Sequence, residues 1–153
     1  MLKIFLVILS IVGLDQLSKY WIHNNLDYLS YIDILPFLKI VHFQNKGAAF
    51  SFLHDADGWQ RYFLIAISML AIIALPFFIK QNKKAPLIFW ALIFIMIGAI
   101  GNLIDRIYFG YVIDFIYIYL NQYYWPAFNI ADSMITLGAG LIIFDMVKKA
   151  REK

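Results

Sequence analysis

Four long apolar runs divide the chain, Leu2 to Ile22, Tyr62 to Ile79, Leu87 to Ile104 and Ala127 to Val147. Each holds about 18 to 21 residues, close to the roughly 20 helical residues that cross a hydrocarbon layer about 30 Å thick. The pattern predicts four transmembrane helices in a single domain spanning 1–153. The first run follows Lys3 and opens like a secretory signal. It has no small-x-small cleavage site and continues through Asp15 and Lys19 to Trp21 and Ile22, so it reads as a retained span. Pro126 opens the fourth run at a favourable first-turn position. Between the first two runs, Tyr31 to Gln44 mixes Ile, Leu, Val and Phe with interruptions at Pro36 and Lys39, which predicts short, irregular strands. Backbone of that kind must pair internally or meet water. The expected fold class is an all-α membrane protein of four transmembrane helices carrying a small β-structured platform on the outer face.

Composition strengthens this picture. Hydrophobic residues make up 63% of the 153 and charged residues 15%, more apolar surface than a soluble core of this size can bury. Of 13 Lys and Arg, eight (Lys3, Lys80, Lys83, Lys84, Lys148, Lys149, Arg151 and Lys153) lie on one side of the runs, leaving five elsewhere. Basic residues resist translocation, so both termini and the Lys80 to Pro86 hairpin are expected in the cytoplasm. The longer connections, His23 to Arg61 and Asp105 to Trp125, then face outward. The second holds Tyr108, Phe109, Tyr111, Tyr117, Tyr119, Tyr123, Tyr124 and Trp125, which read as an interfacial aromatic belt. The net charge of +3 sits at span ends rather than on one surface, which argues against nucleic acid as a partner. With no cysteine the chain can form neither a disulfide nor a thiolate centre.

An ionisable group at mid-bilayer costs roughly 2.5 to 3.5 kcal/mol, so each one in or beside a span needs a reason. Asp15, Lys19, Asp105, Asp114 and Asp132, with Arg106, all fall toward the outer side. Asp145 lies about 20 Å along the helix from Asp132 and belongs to the opposite side, where Lys148 and Lys149 offer interfacial partners. Asp15 and Lys19 share a helix face, and either a mutual salt bridge or a polar cleft wall accounts for them. Asn102-x-x-Asp105 and Asn129-x-x-Asp132 repeat one unit at two span ends, as ligand-facing pairs or as caps and inter-helix bonds. Asp114 stands between them among apolar residues. It is either an interfacial loop carboxylate or, with Asp132, half of a pair that shares a proton and hydrolyses a bond without a metal or a nucleophile. No His-Glu-x-x-His is present. His23, His42 and His54 are scattered through outer segments where solvated side chains are the default. Ser18 beside Lys19 and Ser51 near Lys46 lack a distinctive dyad spacing. A proton-coupled transporter would place its carboxylate nearer mid-membrane and show repeat symmetry, and a noncatalytic assembly subunit would use the same polar groups as helix glue.

Five ordered blocks carry a family resemblance. They are Asp15-Gln16-Leu17-Ser18-Lys19, Asn45-Lys46-Gly47-Ala48-Ala49-Phe50-Ser51, Gly98-Ala99-Ile100-Gly101-Asn102-Leu103-Ile104-Asp105-Arg106, Val112-Ile113-Asp114-Phe115 and Phe128-Asn129-Ile130-Ala131-Asp132-Ser133. Together they resemble the bacterial lipoprotein signal peptidase (signal peptidase II) family over nearly the whole chain. Ile97 departs from the pattern where the family often has glycine. The resemblance implies a membrane-embedded aspartyl endopeptidase with Asp114 and Asp132 as the catalytic pair, a choice that spacing alone leaves open against Asp105. It implies Asn102, Arg106 and Asn129 along the site, with Asp15, Lys19, Asn45, Gly47 and Gly98 binding substrate or shaping the cleft and Asp105 fixing Arg106 or a neighbouring backbone. The implied substrate is a prolipoprotein bearing diacylglyceryl on the cysteine after the cleavage point, cut just before that residue, with no metal or organic cofactor. A monomer in the bacterial cytoplasmic (inner) membrane, contacting lipid and working at its outer face, completes the expectation. Asn45 to Phe52 is expected to close over the bound peptide as a lid.

Overall fold

The computed structural model describes residues 2–47 and 58–152. The elements run α1 (Leu2–Asn25), β1 (Tyr31–Leu35), β2 (Leu38–Asn45), α2 (Trp59–Gln81), α3 (Pro86–Tyr108), β3 (Val112–Leu120), β4 (Tyr123–Tyr124) and α4 (Ile130–Arg151). By length and composition α2, α3 and α4 are apolar enough to cross a membrane, at 22 or 23 residues each. α1 has 24 residues and most of its large apolar side chains point outward. The strands form one antiparallel sheet in the order β1-β2-β3-β4. Of the expected lid, residues 48–52 lie outside the described residues, as do Ser51 and His54.

Element boundaries differ from the apolar runs in ways that matter for the site. The third run ends at Ile104 because Asp105 and Arg106 follow, yet α3 continues to Tyr108 with both of those side chains buried. They are therefore helical residues, not part of a connection. The fourth helix starts at Ile130 rather than around Pro126, because Asn129 adopts extended backbone and caps the first turn. Much of the expected aromatic belt is sheet: β3 carries Tyr117 and Tyr119, and β4 is Tyr123–Tyr124. Those residues have the high strand preference of β-branched and aromatic side chains. The platform extends to a fourth strand as a result.

α3 is the most enclosed helix, burying Ala91, Ile93, Ile97, Gly98, Ala99 and Gly101 before its polar end. Ile97, the departure from the family pattern, is 1% exposed and packs in this interior. Small residues set the approach of α3 to α4: a methyl group at Gly98 would collide with the Ala131 carbonyl, and one at Gly138 would sit 2.5 Å from the Ala91 carbonyl oxygen. Gly98 thus allows the close approach of α3 to α4. At the far end of α4, Asp145 pairs with Lys149 at 2.6 Å, while Lys148 reaches Glu152 at 3.9 Å instead.

Gly98→Ala and Gly138→Ala should each lower the melting temperature of the detergent-solubilised protein, overpacking costing about 1–3 kcal/mol. Gly140→Ala, with nothing within 4 Å, should be neutral or gain up to about 1 kcal/mol from helix propensity. Equal melting of all three variants would contradict the packing account.

Candidate active site

One ammonium group gathers the polar ends of two helices. Lys19 of α1 is 1% exposed, and its Nζ lies 2.9 Å from Asp15 Oδ2 and 3.0 Å from Asp105 Oδ2. It also donates to Asn102 Oδ1 at 3.1 Å. The mutual salt bridge considered for Asp15 and Lys19 is therefore present, extended to Asp105 and Asn102. Each carboxylate has a second task. Asp15 Oδ1 accepts the Ala131 N–H at 2.9 Å, a first-turn donor of α4 without an intrahelical partner. Asp105 Oδ2 accepts the Ile113 N–H at 3.1 Å and so staples β3 to α3, a backbone role rather than a contact with Arg106. Gln16, which spacing did not single out, donates to Asp105 Oδ1 at 3.0 Å, to Asp15 Oδ2 at 3.1 Å and to the Gly101 carbonyl at 3.1 Å. An amide one residue after an intramembrane aspartate was the available signal.

The repeated Asn-x-x-Asp units do different work. Asn129 and Asp132 form a reciprocal capping box, with Asp132 N–H donating to Asn129 Oδ1 at 2.8 Å and Asn129 N–H to Asp132 Oδ2 at 3.3 Å. Asn102 instead reaches across to the other unit, its Nδ2 donating to Asp132 Oδ1 at 2.7 Å. Asp105 is thereby committed to α1 and β3, away from Asp132.

Asp114 arrives on β3. Phe43 of β2 lies opposite it and Asn45 opposite Val112, so Asn45 and Asp114 are diagonal neighbours on one face. Asn45 Nδ2 donates to Asp114 Oδ2 at 3.0 Å, and Asn129 Nδ2 donates to Asp114 Oδ1 at 2.8 Å. Asn129 therefore bonds both acids, one through its side chain and one through its backbone N–H. Asp114 is 4% exposed. Burial pushes its carboxyl up to about 8, the negative charge of Asp132 adds to the rise, and the amides of Asn45 and Asn129 and the charge of Lys19 hold it back in part.

Arg106 completes the polar rim. Its Nη2 donates to the Gly47 carbonyl at 3.0 Å and Nη1 reaches the Asn102 carbonyl at 3.5 Å, while the buried Nε has no hydrogen-bond partner among the described residues. Gly47 N–H donates to Asn45 Oδ1 at 3.0 Å, so Asn45 and Gly47 form one unit beside Asp114. A cleft of about 760 Å³ is lined by Asn45, Asn102, Arg106, Asp114 and Asp132 together with apolar residues that include Ile67, Ala71, Ile135 and Leu137. Two carboxyls on such a cleft can give one proton and take another from a bound molecule. Ser18 and His42, among the described residues, are engaged elsewhere. Ser18 Oγ is spent on the Leu14 and Asp15 carbonyls at 2.8 Å each. His42, expected in solvent, is 3% exposed, with Nδ1 2.7 Å from the Leu26 carbonyl and its ring edge-on to His23.

Comparison with known proteins decides the family. The family described as signal peptidase (SPase) II matches residues 7–148. This chain belongs to the signal peptidase II family. Lipoprotein signal peptidases of Alteromonas mediterranea and Acinetobacter baumannii are similar to it, at 45% identity (92% of this chain, 78% of the relative) and 46% identity (97% and 85%). Two solved bacterial membrane enzymes, both determined by the in meso method, share 34% identity with it. Their TM-scores are 0.90, covering 100% of this chain and 92% of the other, and 0.83, covering 97% and 94%. The structural likeness to these membrane enzymes therefore extends over the whole chain, and the family makes the protein a membrane protease.

Two outcomes follow for this signal peptidase II. Lys19→Met leaves Asp15 and Asp105 without their shared cation and should cost about 3–5 kcal/mol in chemical denaturation, against about 0.5 kcal/mol or less for Lys149→Ala at an exposed pair. Asp114, raised from 3.8 to about 8, lends stability that is complete below pH 3.8 and is lost as pH rises through 8. Asp114→Asn should flatten that dependence and melt above the parent at pH 9. A parent whose melting temperature is level across this range would refute it.

Proposed function

We propose that this chain is an aspartyl endopeptidase that removes the signal peptide from diacylglyceryl-modified prolipoproteins, with Asp114 and Asp132 as its catalytic pair. The observation that carries the reading is Asn129, one residue bonded to both carboxyl groups on the wall of a cleft. The lipoprotein signal peptidases to which the chain is similar supply the substrate class.

In the reaction, Asp114 carries a proton and Asp132 is ionised. Asp132 takes a proton from water as the water oxygen bonds to the carbonyl carbon before the lipidated cysteine, and Asp114 gives its proton to the carbonyl oxygen. Collapse of the tetrahedral intermediate returns that hydroxyl proton to Asp114 and passes the proton on Asp132 to the leaving nitrogen as the C–N bond breaks. The products are the signal-peptide acid and a free amine on the lipidated cysteine. No metal or organic cofactor takes part. Asn45, Gly47 and Arg106 rim the place where substrate backbone lies. Asn102 and Asn129 hold the acids, and Asp15, Lys19 and Asp105 brace them from behind.

We read α1 as a fourth span. Its 24 residues reach about 36 Å. Beyond Lys3 at its exposed start, its charges Asp15 and Lys19 are turned inward, each at 1% exposure, while Leu6, Leu9, Leu14 and Leu17 face out. Both termini and the 82–85 connection then lie in the cytoplasm, and the acid pair sits at the outer face of the bacterial inner membrane, where acyl chains stay in lipid while the scissile bond meets water. The enzyme works there as a monomer.

Purified full-length chain should cut a diacylglyceryl-modified precursor and leave its unlipidated twin intact. Asp114→Asn and Asp132→Asn should each lower the rate about 10²–10⁴-fold with the fold retained. The parent rate should fall as pH rises through about 8, where Asp114 loses its proton. Full activity in either variant would reject the assignment.

A further inference from the structure

We propose that Arg61 is a positioning residue for the Asp114 carboxyl, clamping the turn by which the chain passes from α3 to β3. The inference rests on the aspartyl reading above.

Arg61 stands in the first turn of α2, where a positive charge opposes that helix's own dipole, and Gly58 caps the helix without a side-chain bond. Its placement is explained by a different helix. Arg61 Nε donates to the Arg106 carbonyl and Nη2 to the Ile107 carbonyl, each at 3.0 Å. These oxygens belong to the last turn of α3, where carbonyls lack intrahelical partners and the dipole is negative. A planar guanidinium presents its Nε and Nη2 donors in a fixed fork that serves two successive carbonyls at once, where an ammonium is a single flexible point charge.

The same guanidinium covers Gly110. That residue has φ of +85°, and a methyl there would lie 3.1 Å from Arg61 Nη1. Gly110 is the pivot of the reversal, two residues beyond the end of α3 and two before β3. Glycine is suited to it by backbone angle and by the guanidinium lying against it. Four residues further on is Asp114. On the opposite side of this reversal, Asp105 Oδ2 accepts the Ile113 N–H. β3 is therefore aimed from both sides: the Asp105 carboxylate fixes the first residues of the strand, and Arg61 fixes the turn that delivers them. Arg61 also ties to the backbone of Arg106, whose side chain holds the Gly47 carbonyl on the cleft. It touches neither acid, so its influence on Asp114 is through placement.

The test compares the parent, Arg61→Met, Arg61→Lys and Gly110→Ala as full-length chains cutting a diacylglyceryl-modified precursor, with Asp114→Asn alongside. Arg61→Met should lower kcat about 10- to 100-fold, the scale of a misplacement near 1 Å, with little change in KM. Loosening the turn admits water to Asp114, so the alkaline limb of its kcat profile should move to lower pH. Arg61→Lys should recover part of the rate through one carbonyl, and Gly110→Ala should shift rate and limb in the same direction as Arg61→Met. Should Arg61→Met fail to fold, the other two variants decide. Folded variants with the parent kcat per folded molecule and an unmoved limb would overturn the positioning role and leave the peptidase reading standing. A parent that leaves the precursor uncut, or an Asp114→Asn variant as fast as the parent, would remove that reading and this inference with it.

Discussion

A lysine ammonium buried among two carboxylates and an amide organises this protein. Lys19 is almost wholly removed from solvent, and so are Asp15 and Asp105 on either side of it. Desolvating such groups costs several kcal/mol each, which is recovered only where every lone pair and proton finds a partner. The requirement is met by drawing the remaining oxygens to backbone: Asp15 to the first turn of α4, Asp105 to the start of β3. Four elements are thereby indexed to one cation. Lipid supplies little hydrophobic force for helix association, so packing of small residues and buried polar bonds of this kind must set the arrangement.

From that frame the acid pair follows. Asn102 joins the lysine to Asp132, and Asn129 joins Asp132 to Asp114. The side-chain amides can donate and accept at once, and they carry no charge into an enclosed space. They let two carboxyls occupy one cleft while burial and the charge of Asp132 push the Asp114 carboxyl up to about 8. Ile67, Ala71, Ile135 and Leu137 line the same cleft and add apolar surface beside the acids.

Much of this was legible in the chain because membrane-crossing helices announce themselves by uninterrupted apolar length, as Tyr62 to Ile79 does. The polar ends were harder. Asp105 and Arg106 stop an apolar run, yet they continue α3 because their side chains turn inward, which a linear pattern does not record. The strand 112–120 combines Val, Ile, Phe and Tyr, residues that serve an interfacial belt and a sheet equally well. The unit Asn129-x-x-Asp132 was readable as a cap. Its companion was readable as an inter-helix bond but its partner was not, because Asn102 takes its carboxylate from another helix and only the tertiary fold supplies it. Arg61 gave no local sign, since the carbonyls it bonds lie about 45 residues away.

Asn129 is asked for two things that seldom coincide. Serine, threonine, aspartate and asparagine all begin helices well, since each offers an oxygen to a free N–H. Of these, asparagine combines that oxygen with an NH₂ group able to reach a second side chain. A hydroxyl is too short to do both jobs, and an ionised carboxylate has no hydrogen to give. Secondary structure alone would tolerate any member of that set at this position; the bond to Asp114 narrows the tolerance to one, so a residue that looks like routine helix punctuation is also the link between two carboxyl groups.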